Sequence, residues 1–281
     1  MRDDAITRGG YADAVVAAVL GLAAPGAHRR PLLVGLSGLQ GSGKSTLAAQ
    51  LVAAARHRRI EALALSLDDF YLGRGARLRL ARDVHPLLAT RGVPGTHDVD
   101  LLLDTLDALR AARPARPARI PSFDKGRDTR LPPSRWRRVA ARPDLLILEG
   151  WCVGVPPQPP SALRRPLNCL ERDHDHDARW RGWVNAQLSL SYVPLWRRLD
   201  RLVMLQAPGY DVVKRWRDEQ EQALRARKAP RAMSPAALRR FLMYYERLSR
   251  QALRTLPAIA DLCIVLGPDR RVRRLVAQRP S

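Results

Sequence analysis

Lysine and asparagine are scarce in this chain of 281 residues. Four lysines stand among 49 basic residues, so arginine supplies nearly all of the positive charge. In a chain that otherwise uses arginine, a lysine indicates a position where the function requires an amine rather than a guanidinium. Lys44 and Lys125 lie in motif-like surroundings. The two asparagines, Asn168 and Asn185, leave no room for the N-K-x-D motif that reads guanine.

Cysteine is limited to three positions without a metal-ligand spacing: Cys152, Cys169 and Cys263. A disulfide framework or a zinc site is therefore not expected, and a reducing cytoplasm is the expected compartment. No apolar run reaches membrane-spanning length. Residues 14–24 are apolar, but Asp3, Asp4 and Asp13 do not fit the basic start of a secretory leader. We expect instead an N-terminal helix within residues 1–30 that packs on the domain.

Basic residues are spread along the chain rather than grouped. The formal net charge is +22, aromatic residues make up 5% of the chain, and no basic stripe interleaved with aromatic residues occurs. We therefore expect a diffusely basic protein whose field attracts small anions, with a small-molecule partner and no dedicated nucleic-acid surface. The sequence does not define an oligomeric state.

Five short apolar segments have the composition of buried strands, and helical patterns separate most of them. They cover residues 31–37, 60–67, 144–149, 201–206 and 261–266. This alternation predicts a single α/β domain, with a mainly parallel sheet and helices on both faces. Right-handed crossovers bring the carboxyl ends of parallel strands to one edge, so we expect the active site there.

A phosphate-binding loop follows the first predicted strand. Residues 38–46 fit the pattern G-x-x-x-x-G-K-[ST] (Walker A) without a mismatch. Glycines let successive backbone amides point at one anion, and the N-terminus of the following helix favours negative charge. Lys44 is expected to reach the β- and γ-phosphates of ATP, and the Ser45 hydroxyl to ligate Mg²⁺. The residues predicted to hold the nucleotide are Gly38, Gly41, Ser42, Gly43, Lys44, Ser45 and Thr46.

Two adjacent carboxylates, Asp68 and Asp69, follow the second predicted strand. Phosphoryl transfer needs one carboxylate to accept the proton of the acceptor hydroxyl and another to hold Mg²⁺, directly or through water. Neighbouring residues of an extended chain point to different sides, so one can face the acceptor while the other supports the metal or a loop. An ordinary turn or helix cap is the alternative.

The third predicted strand is a continuous apolar run over residues 145–148, closed by Glu149 and Gly150. It resembles a Walker B element, which predicts Glu149 near Mg²⁺ or its waters. An ordinary acid at a strand end is the alternative interpretation.

These motifs together resemble the P-loop kinase superfamily of uridine kinase, phosphoribulokinase and pantothenate kinase. Further stretches resemble D-glycerate 3-kinase of the plant type and its bacterial and fungal kinase-like relatives, over most of residues 31–267. Those stretches are residues 85–86, 91–98, 121–125, 216–221 and 233–247. The resemblance implies the three-layer P-loop fold with acceptor-binding and lid insertions.

The resemblance also implies catalytic roles. The acid matching Asp68 is the usual base, and Ser45, Asp68 and Glu149 are the predicted metal ligands, with Lys44 on the phosphates. Residues 208–232 correspond to the lid of related kinases, whose arginines neutralise charge on the transferred group. We expect Arg217 to serve there, although a basic helix face paired with its own acids at i+4 explains these charges equally well.

The acceptor region is assigned to the long insertion over residues 68–142, which includes a helix capped by Asp98. The resemblance to D-glycerate 3-kinase implies that Arg91, His97 and Lys125 help to form the acceptor pocket. An arginine can bind a small carboxylate through two hydrogen bonds, so these residue types suit a hydroxy acid. Asp69 and Tyr71 are also predicted beside the acceptor.

The implied reaction is transfer of the γ-phosphoryl group of ATP to a hydroxyl of a small acid, with D-glycerate to 3-phosphoglycerate as the first candidate. A nucleoside, a pantothenate-like acid and a sugar phosphate stay open as acceptors. A regulatory P-loop NTPase that acts on a macromolecular partner is the alternative from another class. Residues 173–177 alternate Asp and His, which suggests a second metal site, but we expect a polar loop there.

Overall fold

The computed structural model describes residues 10–22, 31–226 and 233–278. In these ranges the α-helices are α1 Asp13–Leu22, α2 Lys44–His57, α3 Arg74–Asp83, α4 Val99–Arg110, α5 Cys169–His174, α6 Arg179–Gln187, α7 Val193–Trp196, α8 Asp211–Ala226 and α9 Pro235–Ile259. The strands are β1 Leu32–Gly38, β2 Ala62–Ser66, β3 Ala118–Ile120, β4 Phe123–Asp124, β5 Thr129–Arg130, β6 Arg137–Val139, β7 Leu145–Gly150, β8 Arg201–Gln206, β9 Leu262–Leu266 and β10 Val272–Ala277.

The central sheet of the described chain has the strand order β10–β9–β8–β1–β7–β2. The five predicted strands are confirmed, and they pair in parallel with one another. Strand β10 was not predicted and pairs antiparallel with β9 at one edge. Its sequence mixes arginines with aliphatic residues, and five of its six positions are exposed, so it lacks the apolar signal of the buried strands.

Alternate residues of the inner strands bury into two separate hydrophobic clusters, one on each face of the sheet. In β7, Leu146 and Leu148 belong to the cluster that includes α4 and much of α9, whereas Leu145 and Ile147 belong to the cluster with α1 and α2. A strand buried on both faces reads as an uninterrupted apolar run, which is what this segment shows. The predicted layering, with helices on both faces of the sheet, is confirmed.

The segment between β2 and β7 carries helices α3 and α4 and two short antiparallel pairs, β3 with β6 and β4 with β5. The predicted cap of α4 is confirmed, because the Asp98 side chain accepts a hydrogen bond of 3.1 Å from the Leu101 amide. The predicted N-terminal helix is present as α1, which packs on α2. The rest of that prediction, over residues 1–9 and 23–30, lies outside the described residues.

The stretch at 173–177 differs from the predicted polar loop. Asp173 and His174 lie in the last turn of α5, and the buried Asp175 carboxylate pairs with Arg181 at 2.7 Å. Asp175 also accepts a hydrogen bond of 2.7 Å from the Trp180 amide at the start of α6. A buried carboxylate needs such partners, so this residue serves the packing of two helices. None of the helices in the described ranges combines the length and apolar character of a membrane crossing.

Candidate active site

The sheet register brings the predicted motifs to one edge. Glu149 near the end of β7 lies opposite Leu36 of β1 on one side and Ser66 of β2 on the other. β1 ends two residues after Leu36, where the phosphate loop begins, and β2 ends at Ser66, two residues before Asp68. A cleft of about 830 Å³ opens there. Its lining includes many predicted site residues: Gly41, Lys44, Ser45, Asp68, Tyr71, Arg91, Lys125, Glu149 and Arg217.

The phosphate loop has the backbone that its glycines predict. Gly41 and Gly43 adopt φ angles of +82° and +91°, in the left-handed region that side chains disfavour. Gly38 ends β1 against β8, where an added Cβ atom would lie 2.8 Å from the Leu205 Cβ. Ser42 is buried in the loop, and Thr46 lies in the first turn of α2. These residues form the turn before α2, where the sequence predicts an anion site.

The Lys44 amine lies inside the cleft and donates to the Leu39 carbonyl at 3.2 Å. Burial lowers the pKa of Lys44, while the nearby Glu149 and Asp68 carboxylates oppose that shift. A phosphate chain in this cleft would supply the negative charge that a buried amine favours.

Ser45 and Glu149 lie together on the nucleotide side of the cleft. The Ser45 hydroxyl donates to the Glu149 carboxylate at 2.9 Å, and Glu149 is buried. Asp68 lines the same cleft. A hydroxyl and two carboxylates are oxygen ligands of the kind that Mg²⁺ prefers, so this donor set fits the metal that the motifs imply.

Asp68 is held by two partners on the acceptor side. The Tyr71 hydroxyl donates to Oδ1 at 3.0 Å, and the Lys125 amine donates to Oδ2 at 2.6 Å. Burial is the largest influence on Asp68 and alone would raise its pKa. The Lys125 charge and the hydrogen bonds from Lys125 and Tyr71 together outweigh burial, so the pKa lies below its ordinary value. The low pKa keeps Asp68 ionised at neutral pH, and the hydrogen bond from Tyr71 fixes the orientation of its carboxylate.

Asp69 and His97 lie outside the cleft lining, in contrast to the predicted contact with the acceptor. The Asp69 carboxylate accepts from the Phe123 amide at 3.1 Å and so anchors β4, which matches the alternative that one acid of the pair supports a loop. The His97 ring is buried and stacks on Tyr71 with ring centres 4.4 Å apart. Its Nδ1 lies 2.6 Å from the Tyr192 hydroxyl, so this histidine buttresses Tyr71 from behind.

Arg217 lies on α8 at the cleft and pairs with Glu221 one turn later at 2.7 Å. The sequence suggested either a lid arginine at the site or a helix arginine paired with its own acid. Arg217 shows both features, since its guanidinium lines the cleft and is paired at i+4. The predicted lid continues through residues 227–232, which lie outside the described residues. Arg217 also lies over the Phe241 ring of α9, with its guanidinium carbon 5.7 Å from the ring centre.

Sequence reasoning missed two charged residues that line the cleft beside Arg91 and Lys125, namely Arg77 and Asp128. We call these four residues together with Asp68 the acceptor wall, after the predicted role of this region. Arg77 of α3 is 1% exposed and pairs with Asp128 at 2.5 Å, and it is the one fully buried residue of that helix. In a chain so rich in arginine, one more arginine carries no local signal. Asp128 follows Lys125 in the hairpin of β4 and β5, and its position by the cleft depends on long-range folding.

The parallel sheet, the phosphate loop at its edge and the adjoining carboxylates define a P-loop phosphotransferase. No family model matches the chain. The uncharacterized kinase mug58 of Schizosaccharomyces pombe is 34% identical over 234 residues, which are 79% of this chain and 80% of that protein. The chain therefore belongs to the family of P-loop kinases that includes mug58.

Two relatives are D-glycerate 3-kinases. The chloroplastic enzyme of Arabidopsis thaliana is 30% identical over 202 residues, which are 69% of this chain but 42% of that protein. The structure of the enzyme from Cryptococcus neoformans has a TM-score of 0.78 and 23% identity, and it covers 95% of this chain and 100% of that one. The similarity to the Cryptococcus neoformans structure establishes the fold. The similarity to the Arabidopsis thaliana enzyme covers less than half of that longer protein.

Proposed function

We propose that this protein is an ATP-dependent kinase that transfers the γ-phosphoryl group to a hydroxyl of a small acid, with D-glycerate as the acceptor. The observation that carries the proposal is the cleft itself. It combines the phosphate loop and the Ser45 and Glu149 oxygens with an ionised Asp68 that is paired with Lys125, and Arg91 belongs to the same lining. The phosphate loop suits a phosphate donor, and the cations beside Asp68 suit an anionic acceptor.

On the nucleotide side, the loop amides and Lys44 bind the phosphates, and Ser45, Glu149 and Asp68 are the proposed metal ligands. Bound Mg²⁺ would neutralise charge on the β- and γ-phosphates during transfer. Arg217 faces the same cleft from α8 and supplies a further positive charge toward the transferred group.

On the acceptor side, Asp68 is the proposed base. Its Oδ1 is fixed by Tyr71, and its Oδ2 is held by Lys125, which is 58% exposed and therefore free to turn toward an incoming carboxylate. An acceptor whose carboxylate draws Lys125 away leaves Oδ2 open to the acceptor hydroxyl, which loses its proton to Asp68 as phosphorus is attacked. Arg91 offers the second cation for that carboxylate.

The test is ADP release by the purified protein with MgATP and a panel of acceptors: D-glycerate, L-glycerate, glycerol, pantothenate and uridine. We expect rapid turnover with D-glycerate and formation of 3-phosphoglycerate, identified by mass spectrometry and a coupled assay. Turnover restricted to uridine or pantothenate would assign another acceptor within the same fold. ATP hydrolysis that is indifferent to every acceptor but stimulated by RNA or protein would overturn the kinase proposal.

A further inference from the structure

Asp128 joins two arginines that are far apart in the sequence. Its Oδ2 accepts from Arg77 Nη2 at 2.5 Å, and its Oδ1 accepts a short hydrogen bond from Arg91 Nη1. The two arginines differ in surroundings: Arg77 is 1% exposed, whereas Arg91 is 30% exposed at the cleft. The Asp128 carboxylate thus binds the buried Arg77 guanidinium with one oxygen and the partly exposed Arg91 guanidinium with the other.

Arg77 is fully committed to structure. Besides Asp128 it donates to the carbonyls of Leu72 and Ala89, both at 3.1 Å. A buried guanidinium with three acceptors has a fixed position, because moving it would leave charged donors without partners. Asp128 is therefore held in place by a rigid neighbour and can fix whatever it binds on its other oxygen.

Arg91 is held from several directions. Its backbone carbonyl accepts from the Tyr245 hydroxyl at 3.2 Å, and the next carbonyl, at Gly92, accepts from the Trp151 indole at 3.2 Å. Its guanidinium carbon lies 5.7 Å from the centre of the Phe123 ring. Nη2 of Arg91 also donates a long hydrogen bond of 3.5 Å to the Lys125 carbonyl. With the backbone fixed, the stronger contact with Asp128 is the main determinant of where the charged end of this side chain points.

The charges on the acceptor wall do not cancel. Arg77, Arg91 and Lys125 bring three positive charges, and Asp68 and Asp128 bring two negative ones. Because Arg77 already balances Asp128, the Arg91 guanidinium keeps its attraction for an anion although it is hydrogen-bonded to a carboxylate. A substrate with one carboxylate neutralises the wall, while a neutral polyol leaves the charge uncompensated.

We infer that Asp128 is a positioning residue, which shares its carboxylate between Arg77 and Arg91 and thereby sets the preference of the acceptor site for a singly charged acid. This inference rests on the proposed function and adds the residue that makes the acceptor wall selective. It concerns acceptor recognition alone, because the Asp128 carboxylate accepts its hydrogen bonds from Arg77 and Arg91 rather than from the phosphate loop.

The experiment compares wild type, Asp128→Asn, Arg91→Met and the double variant, with D-glycerate, glycerol and MgATP as varied substrates. We expect Asp128→Asn to raise the KM for D-glycerate about tenfold or more, the size of one charge-assisted hydrogen bond. The preference for D-glycerate over glycerol should fall by a similar factor, because the loss of the oriented Arg91 guanidinium outweighs the added net positive charge. The KM for MgATP should be unchanged. Asp128→Asn should add little in the Arg91→Met background, since it acts through Arg91.

Asp83→Asn, which removes an exposed acid from the end of α3, is the control and should behave as wild type. If Asp128→Asn does not fold, Asp128→Glu keeps the charge and displaces it by one methylene, and it should show the same selective rise in the KM for D-glycerate. Equal effects of Asp128→Asn with and without Arg91, or an unchanged preference for D-glycerate, would overturn the inference while leaving the kinase proposal intact. A wild-type protein that does not phosphorylate D-glycerate overturns both.

Discussion

The two walls of the cleft are built in different ways. The nucleotide wall comes from one continuous stretch, residues 38–46, and from one acid at the end of the neighbouring strand. The acceptor wall is assembled from α3, the loop at 89–91, the hairpin of β4 and β5, and the turn after β2. The first wall is local in sequence, and the second depends on contacts between distant segments.

This difference separates nucleotide binding, which is the same for any phosphate chain, from acceptor recognition, which depends on the particular substrate. Backbone amides at the end of a parallel strand bind any phosphate chain, so the nucleotide wall needs only the correct turn and a lysine. The acceptor wall reads one particular substrate through side chains on short loops, where a few substitutions can change the acceptor without disturbing the sheet. Variants on the two walls should therefore fail in different ways.

The largest expected effect comes from Asp68→Asn. This change keeps the shape of the side chain and removes its ability to accept a proton, so we expect kcat with D-glycerate to fall by about 10²–10⁴-fold. ATP binding, measured by calorimetry, should persist. Asp69→Asn is the matched control, because Asp69 anchors the Phe123 amide outside the cleft, and it should lose far less activity. Equal rates for Asp68→Asn and wild type would remove Asp68 from the base role.

Lys44→Ala tests the nucleotide wall. Removing the amine inside the cleft takes away the positive charge that the phosphates meet, so kcat/KM for MgATP should fall by about 10²–10³-fold. Unlike Asp68→Asn, this variant should also lose the heat of nucleotide binding in calorimetry. Arg56→Ala, at the exposed far end of α2, is the control and should bind ATP normally. Undiminished ATP binding by Lys44→Ala would contradict the assignment of this wall.

The sequence predicts the nucleotide wall almost completely, because its signals are contiguous: glycines that need positive φ, a lysine, and apolar strands that end in acids. It predicts less of the acceptor wall. Arg91 and Lys125 followed from a resemblance, but the packing of His97 behind Tyr71 and the bridge through Asp128 arise from tertiary contacts. No periodicity or spacing encodes which of many arginines becomes buried.

The fold shows the same division. Strands buried on both faces are continuous apolar runs and were all predicted, whereas β10 and the short pairs β3–β6 and β4–β5 were not. Two- and three-residue strands contain too few positions for an alternating pattern. The edge strand β10 is exposed along most of its length, so arginines can occupy it. These arginines interrupt the apolar run by which the buried strands are recognised.

Lys125→Met sharpens the comparison with a smaller effect. Loss of the amine removes one cation from the acceptor wall, and the KM for D-glycerate should rise about tenfold, with the KM for MgATP unchanged. Because Lys125 also covers Asp68 Oδ2, ATP hydrolysis in the absence of acceptor should increase relative to transfer. Arg127→Met, in the same hairpin but outside the cleft lining, is the control. A rise in the KM for MgATP instead would place Lys125 on the phosphates.

His97 gives the smallest expected effect, on stability rather than on transfer. Burial lowers the pKa of His97 from 6.5 to about 4, although the Asp68 charge opposes that shift. Between these values the unfolded chain binds a proton that the folded protein does not, so the free energy of unfolding should decrease as pH falls from about 6.5 toward 4. At pH 5 this one residue should cost about 2 kcal/mol of stability compared with pH 7.

Urea unfolding of wild type and His97→Gln at pH 7 and pH 5 measures this contribution. The variant should lose less stability than wild type on acidification, because glutamine does not titrate, while His57→Gln on the exposed end of α2 should follow wild type. Equal acid sensitivity of wild type and His97→Gln would mean that the ring is protonated inside the fold. In that case His97 would be a cation beside Tyr71, and the acceptor wall would carry one more positive charge than its geometry implies.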